Sequence, residues 1–333
     1  MQPRISIITP SYNQGRYLEE NILSVSSQGI IDLEHVIIDG GSTDNSKEVL
    51  EKYADKLTYW VSEPDKGQSD AVNKGFAKAT GEIIGWLNSD DYYPSHVLDK
   101  VLQAFVDPSV NMVCGPSILF DKTGKQEKGE TTVTETRNLE FHLRFPDINQ
   151  PATFFRRKTM NEFMPLNNAL HYVMDRELWI KYLQQYGLKS VKTLHEPLVF
   201  FRSHADSKSE SKEAEFDNEY ATILYWLAKQ HKLEEIAELI HIRYNLIKGY
   251  AYSYAKYPDK ETTLNMLRYF LLKRGGLVFD KAQFDFAKKA YNVFDVKNYK
   301  ILPQEDKALK RIKSIAGCAN WNHFRLKRKL NLV

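Results

Sequence analysis

The stretch "EIIGWLNSDD" (82–91) decides how this chain folds. Glu82 to Leu87 form a short apolar run of strand type, which stops at a polar cluster ending in two adjacent carboxylates, Asp90 and Asp91. Like charges in contact repel, so a strand end gains no stability from holding them. A hard divalent cation would account for them. Mg2+ and Mn2+ take oxygen ligands, and Mg2+ usually binds one or two carboxylates together with substrate phosphates. The competing reading is a solvent-exposed turn, with Asp91 capping a helix near "YYPSHVLDK" (92–100).

Upstream, the same pattern occurs three more times. "RISIIT" (4–9) runs into "TPSYN" (9–13), "EHVIID" (34–39) into "DGGSTD" (39–44), and "LTYWVS" (57–62) into "SEPDKGQSD" (62–70). Each loop is polar, turn-forming and rich in carboxylates or hydroxyls. Helical stretches separate the strands. One spans about 16–27. A second opens in "GGSTDNSKEVLEKY" (40–53), with Asn45 as N-cap and Glu48 three residues on. A third, "KGQSDAVNKGFAKAT" (66–80), stops at Gly81. This βαβ alternation predicts an α/β domain with a mostly parallel sheet and helices on both faces. In such sheets ligands bind beyond the carboxyl ends of the strands, where all four loops should gather.

Further along, "NMVCGPSILFD" (111–121), "QPATFFR" (150–156) and "PLVFFR" (197–202) read as strands, and "DRELWIKYLQQY" (175–186) as a helix. "ADSKSESKEAEFD" (205–217) is charged and poor in apolar residues, which suggests a mobile loop or linker. From Asn218 the pattern is helical, with one long amphipathic run over 219–257 punctuated by Pro258. The expected organisation is a catalytic α/β domain over 1–210 and a helical region over 211–333.

Composition sets the outer bounds. The 333 residues suffice to bury a sizeable core, and no apolar run approaches the ~18 residues of a membrane span. "MQPRISIITP" (1–10) lacks the features of a signal peptide. Cys114 and Cys318 are far apart, without metal-ligand spacing or a disulfide framework, which favours a reducing, cytoplasmic setting. Net charge is +3, but the segment from Lys307 carries eight Lys or Arg and no acid. That suggests an anionic partner, or else a solvated terminal helix. Only Trp321 and Phe324 offer stacking there, which argues against nucleic acid. The phosphate-cradling patterns G-x-x-x-x-G-K-[ST] and G-x-G-x-x-G are missing after the first strand.

"SIITPSYNQGRYLEENILSVSSQ" (6–28), "HVIIDGGSTDNS" (35–46), "SEPDKGQSDAVNKG" (62–75) and "GWLNSDD" (85–91) resemble, in order, the motifs of family 2 glycosyltransferases with the GT-A fold. The likeness continues through "QPATFFRR" (150–157), "HYVMDRELWIKY" (171–182) and "FFRSH" (200–204). It implies a nucleotide-diphosphate sugar donor, a divalent cation (Mn2+ or Mg2+) and inversion at the anomeric carbon. On the donor side it implies that Thr9, Pro10 and Tyr12 line the base and ribose. Asp39 accepts the uracil N3–H, Asp65 makes a further nucleotide contact, and Lys66 faces the diphosphate. "NSDD" (88–91) matches the family's D-x-D element except that Asn88 stands at the first position, so metal binding rests on Asp90, with Asp91 as an accessory. His204 resembles the histidine that completes the metal shell. Asp175 matches the catalytic base, although Met174 replaces the usual preceding acid. Gln150 falls on the acceptor side. The resemblance further implies a glycan or lipid-linked acceptor and a place in cell-surface polysaccharide synthesis. It puts the work at the cytoplasmic membrane face, with the basic end in peripheral contact.

Two other functions stay open on the sequence. A sugar-1-phosphate nucleotidyltransferase shares the sheet, the metal and the nucleotide, but wants a glycine-rich loop with arginine after the first strand, and "TPSYNQGR" (9–16) fits poorly. A non-catalytic nucleotide-sugar-binding protein is the other, with Asn88 as the mark of a decayed site.

Overall fold

The computed structural model describes residues 5–31, 33–121, 123–124, 126–129, 137–145, 148–204, 212–275, 278–293 and 302–330. By its internal contacts the chain divides into two compact units. The first comprises residues 1–142, 146–216 and 253–256, and the second 143–145, 217–252 and 257–333.

The first unit is built on the expected alternation. Strand β1 (Ile5–Ser11), helix α1 (Gly15–Ser26), β2 (Leu33–Asp39), α2 (Ser46–Lys52), β3 (Tyr59–Ser62), α3 (Gln68–Lys78) and β4 (Ile83–Trp86) follow one another. In the seven-stranded sheet the order is β3-β2-β1-β4-β8-β5-β9, adding β5 (Met112–Cys114), β8 (Thr153–Arg156) and β9 (Val191–Thr193). The first four strands are mutually parallel, and β8 runs antiparallel to both β4 and β5. A three-stranded sheet, β10-β6-β7, joins β6 (Ser117–Phe120), β7 (Gln126–Gly129) and β10 (Val199–Arg202). The run 111–121 is thus two strands in two sheets, not one.

Alternation along β2 shows how the sheet is covered. Ile37 packs with Leu18, Ile22 and Leu50 under α1 and α2, while Val36 and Ile38 pack with Ala71 of α3 on the other face. Gly75 lets α3 lie close on β1. A Cβ there would stand 2.4 Å from the Ile8 side chain, so the absence of a side chain sets how near the helix start comes to the strand ends.

Downstream, the second unit is helical, with Glu234–Arg243, Lys260–Gly275, Lys281–Val293, Pro303–Ala316 and Trp321–Lys329 joining the later part of Glu213–Gln230. The single run expected over 219–257 is broken. Lys232 takes a left-handed φ of 55°, the next helix begins at Glu234, and no helix is assigned over 244–259. The expected linker over 205–217 ends early, because Glu213–Gln230 is helix and 205–211 lie outside the described residues. A buried pair, Arg144 to Glu305 at 2.6 Å, lies within this unit, and Glu305 also accepts from the Leu302 amide, fixing the start of Pro303–Ala316. Among the described residues no helix is long and apolar enough to cross a membrane.

Candidate active site

The parallel register sets Ser11, Asp39 and Ser62 side by side at the carboxyl ends of β1, β2 and β3. Side chains stitch the first two loops together. The Asn13 amide donates to Ser42 Oγ (2.7 Å), the Thr43 amide to Asn13 Oδ1 (2.9 Å), and the Gly15 amide to Asp44 Oδ2 (3.0 Å). Asn45 holds the N-cap position of α2 as expected but makes no side-chain cap bond, and Asp44 accepts from the Ser46 amide at 3.0 Å instead. Burial pulls the Asp44 carboxyl up, but the hydrogen bonds from Ser46 and Gly15 outweigh it and hold the group below its ordinary range.

The donor-side residues of the sequence divide sharply. Tyr12 is 61 % exposed at the mouth of the edge. Pro10 is buried within β1. Thr9 is fully buried, and its hydroxyl shares a 3.0 Å hydrogen bond with His35 Nε2, so its side chain does not face the edge. Asp39 is also fully buried. Its carboxylate accepts from the Ser42 amide (2.9 Å), Ser42 Oγ (2.5 Å) and Ser62 Oγ (2.7 Å). In this structure Asp39 braces the turn that follows β2. A carboxylate offers about four acceptor positions, so three donors leave one. Asp65 accepts from the Gly67 amide at 2.7 Å and lies against Gly40, where a Cβ would come within 2.8 Å of Asp65 Oδ2. Lys66 is exposed.

The "NSDD" loop (88–91) splits its two acids between two tasks. Asp90 Oδ2 lies 3.0 Å from His204 Nε2, which joins the carboxyl end of β4 to the end of β10. Asp91 turns inward. It is 2 % exposed, and its Oδ1 accepts from the Arg202 amide at 3.0 Å. Burial, and then the neighbouring Asp90 charge, push the Asp91 carboxyl well above its ordinary range. Asp91 is thus a clamp between the two segments that carry Asp90 and His204, and the accessory ligand role expected of it does not fit this placement. Arg202 completes the clamp. Its Nε donates to the Asp90 carbonyl (3.0 Å), and its guanidinium stacks 4.6 Å from Tyr17 and 4.5 Å from Phe120. Asn88 is also committed, since Oδ1 accepts from Gln68 Nε2 (2.9 Å) and Trp86 Nε1 (3.1 Å).

Helix α1 holds this loop from behind, which the sequence reading missed. Asn21 Nδ2 donates to the carbonyls of Asn88 (3.0 Å) and Asp91 (2.9 Å). Ser24 Oγ accepts from the Tyr93 amide (3.1 Å), and Gln28 bonds both the Pro94 carbonyl (2.9 Å) and the Leu98 amide (3.2 Å). A signal was present. Asn21 lies on the face of α1 that also buries Leu18 and Val25, and Gln28, two residues past the helix end, is fully buried. Amides at core positions of an amphipathic helix need partners.

Gln150, expected on the acceptor side, donates through Nε2 to the Trp86 carbonyl (2.6 Å), and its Oε1 accepts from Asn88 Nδ2 (3.3 Å). Asp175 lies in the first turn of α4 (Met174–Tyr186), half-buried, with Oδ1 accepting from the Arg176 amide at 2.8 Å. It is not the N-cap, which falls at Val173. The preceding segment is tied to the start of α3. Ser69 Oγ donates to the Leu170 carbonyl (2.6 Å), and Asn73 bonds both the amide and the carbonyl of Leu166 (2.7 and 2.9 Å). Through Gln68 this same helix start reaches Asn88.

A carboxylate oxygen and an imidazole nitrogen 3.0 Å apart form a mixed donor pair that fits a divalent transition ion such as Mn2+ better than Mg2+, which prefers oxygen ligands. Among the described residues no third His, Cys, Asp or Glu completes a cluster, so other ligands would come from a diphosphate and water.

The fold is that of GT-A glycosyltransferases. Residues 6–164 match the family described as glycosyl transferase family 2, the family that the sequence motifs resemble. An uncharacterized glycosyltransferase of Nostoc sp. is 31 % identical over 217 residues, covering 60 % of this chain and 65 % of the relative. One from Haemophilus influenzae is 36 % identical over 133 residues, covering 39 % of this chain and 53 % of the relative. The chain thus spans less than two-thirds of these relatives. Of solved structures, S. aureus TarS in complex with UDP-GlcNAc superimposes with a TM-score of 0.55 at 15 % identity, covering 97 % of this chain and 92 % of that one. Mannosyltransferase PcManGT from Pyrobaculum calidifontis, in complex with GDP-Man and Mn2+, gives 0.52 at 17 % identity, covering 100 % and 85 %.

Proposed function

We propose that the protein is an inverting glycosyltransferase that moves a sugar from a nucleotide-diphosphate donor, UDP favoured, to a hydroxyl of a glycan or lipid-linked acceptor. The observation that carries the reading is the contact between Asp90 and His204, 114 residues apart in sequence yet joined at the sheet edge. The α/β domain over 1–210 does the chemistry in this reading, and the helical region over 211–333 is an appendage. The nucleotide lies across the ends of β1 to β3. Tyr12 covers the base, Asp65 and Lys66 stand along its path, and the backbone of Thr9 and Pro10 forms the floor. Asp39 reaches a base N–H through its remaining acceptor position when Ser42 yields.

In the transfer step, the acceptor oxygen attacks the anomeric carbon as the bond to the diphosphate breaks. An unassisted hydroxyl is a poor nucleophile, so Asp175 takes its proton. Gln150, anchored on Trp86 and Asn88, borders the acceptor. Asp90 and His204 would hold a divalent cation, which when bound supplies a positive charge to offset that of the departing diphosphate. Fixing donor and acceptor in line contributes as much as the chemistry. The loops that do so are held by Asn21, Asp91 and Arg202. The TarS complex with UDP-GlcNAc and the PcManGT complex with GDP-Man and Mn2+ support a nucleotide sugar and a cation as the ligand class. Peripheral contact with a membrane, through the basic end of the chain, would bring such an enzyme to a lipid-linked acceptor.

The test is calorimetric titration of UDP and GDP, with and without Mn2+, into the wild-type protein and into Asp90→Ala and His204→Ala. Binding that needs Mn2+, and that both variants lose, is the expected result. Equal binding by all three proteins would remove the metal site from the reading. Release of free sugar from a bound UDP-sugar would separate an enzyme from a non-catalytic binder.

A further inference from the structure

The sequence offers the whole basic end, 307–333, as a surface for an anionic partner, but the structure narrows it. In Pro303–Ala316, Leu309, Ile312 and Ile315 are buried, so that helix spends its apolar face on the second unit. In Trp321–Lys329, Phe324 is buried and stacks on Trp321 at 5.4 Å. Leu326 and Leu330 remain 58 % and 59 % exposed. Four residues apart, they share the outward face of this last helix, with Arg325 and Lys329 exposed beside them. A second segment joins them. Arg328 Nη1 donates to the Val278 carbonyl (2.9 Å), and its guanidinium stands 5.6 Å from the ring of Phe279, which is 66 % exposed. Asp280, next in the chain after Phe279, has its carboxylate engaged by the Gln283 amide (2.8 Å).

We propose that Phe279, Leu326 and Leu330, ringed by Arg325, Arg328 and Lys329, form a docking patch for the surface of an anionic lipid membrane. Apolar side chains that enter the headgroup region and cations that meet anionic lipid are the two components an interfacial helix requires. Exposed Leu and Phe gathered beside charge of one sign mark an interaction surface. The charge complementarity favours lipid over an uncharged protein groove. This patch narrows the membrane contact of the proposed function to six residues. It stands or fails apart from the glycosyl-transfer reading, because none of the six belongs to the site.

The chain should be tested whole. A truncation before Pro303–Ala316 would strip Glu305 from the buried Arg144 and disturb the unit itself. Co-sedimentation with phosphatidylglycerol vesicles, against phosphatidylcholine vesicles, is measured for wild type, Arg325→Gln/Lys329→Gln, Leu326→Ser/Leu330→Ser and Phe279→Ser. All six side chains are exposed, and unchanged thermal melts would verify the fold. Wild type should bind the anionic vesicles selectively and lose binding as salt rises. Each basic residue near such a surface contributes a factor of about five, so the double Gln variant should bind roughly 25-fold more weakly. The double Ser variant and Phe279→Ser should each lose at least about tenfold, since a buried methylene contributes about fourfold. No selective binding by wild type at low salt, or binding by the folded variants equal to wild type, overturns the patch.

Discussion

Two ends of the same sheet treat carboxylates in opposite ways. At the amino end, Glu34 is 7 % exposed and surrounded by donors. Ser6 Oγ (2.5 Å), the Thr80 amide and hydroxyl (both 2.7 Å) and the Gly81 amide (3.3 Å) all point to it. Burial alone would raise its carboxyl, but the hydrogen bonds from Ser6, Thr80 and Gly81 more than offset it and hold it below the usual range. At the carboxyl end, Asp90 and Asp91 stand together, and Asp91 is pushed up. One end has satisfied its acid and become structure. The other keeps two acids in each other's field, an arrangement that favours any arriving cation.

This contrast makes separable predictions. The largest effect belongs to the functional end. Asp175→Asn should cut turnover by about 10²–10⁴-fold, the range of general-base catalysis, while donor affinity and denaturation midpoint stay put. Normal turnover would eliminate Asp175 as the base.

Acid should reveal the structural side next. Burial pushes the His35 imidazole down to about 3, from an ordinary 6.5. Its folded pKa is depressed, so the unfolded chain takes up a proton that the folded chain refuses. Stability is full above about 6.5 and falls as pH drops from there toward 3. The loss can reach several kcal/mol, at about 1.4 per pKa unit. Glu34, also depressed, adds to the loss below its unfolded value of 4.5. Urea titrations at pH 7, 5 and 4 would measure this. A flat profile would mean that His35 is not held neutral.

Asp90→Asn is the sharper probe of the contrast. It should lower turnover by about 10²–10³-fold, as loss of a charge-stabilising group typically does. Stability should hold or rise, because the variant relieves repulsion with Asp91. A stability drop like that of a structural acid would break the comparison. The mirror experiment is Glu34→Gln, which turns one acceptor into a donor among donors. It should cost about 1–3 kcal/mol of stability with turnover per folded molecule unchanged. Lost turnover in a folded Glu34→Gln protein would show that the two ends are coupled.

Much of this was legible in the residues. Strand-type runs that each end in a polar loop demand a parallel sheet with its ligands on one edge, because every βα connection returns the chain to the same side. The motif order then marked Asp90, Asp175 and His204. Periodicity and spacing do not tell which way a side chain turns at a strand end, so Asp90 and Asp91 looked alike. Thr9 and Asp39, expected against a nucleotide, were equally undecided between inward and outward. Only tertiary packing sent Asp91 to the Arg202 amide, Thr9 to His35, and Asp39 to Ser42 and Ser62. The helical half shows the same division. Composition located its basic end, but burial decided that Leu309, Ile312, Ile315 and Phe324 face inward while Leu326 and Leu330 do not. Sequence thus determined which elements form and where their chemistry collects, because those follow from local periodicity and connection geometry. Tertiary structure decided which polar and apolar groups meet partners, because that depends on contacts between residues far apart in the chain, such as the 114-residue span from Asp90 to His204.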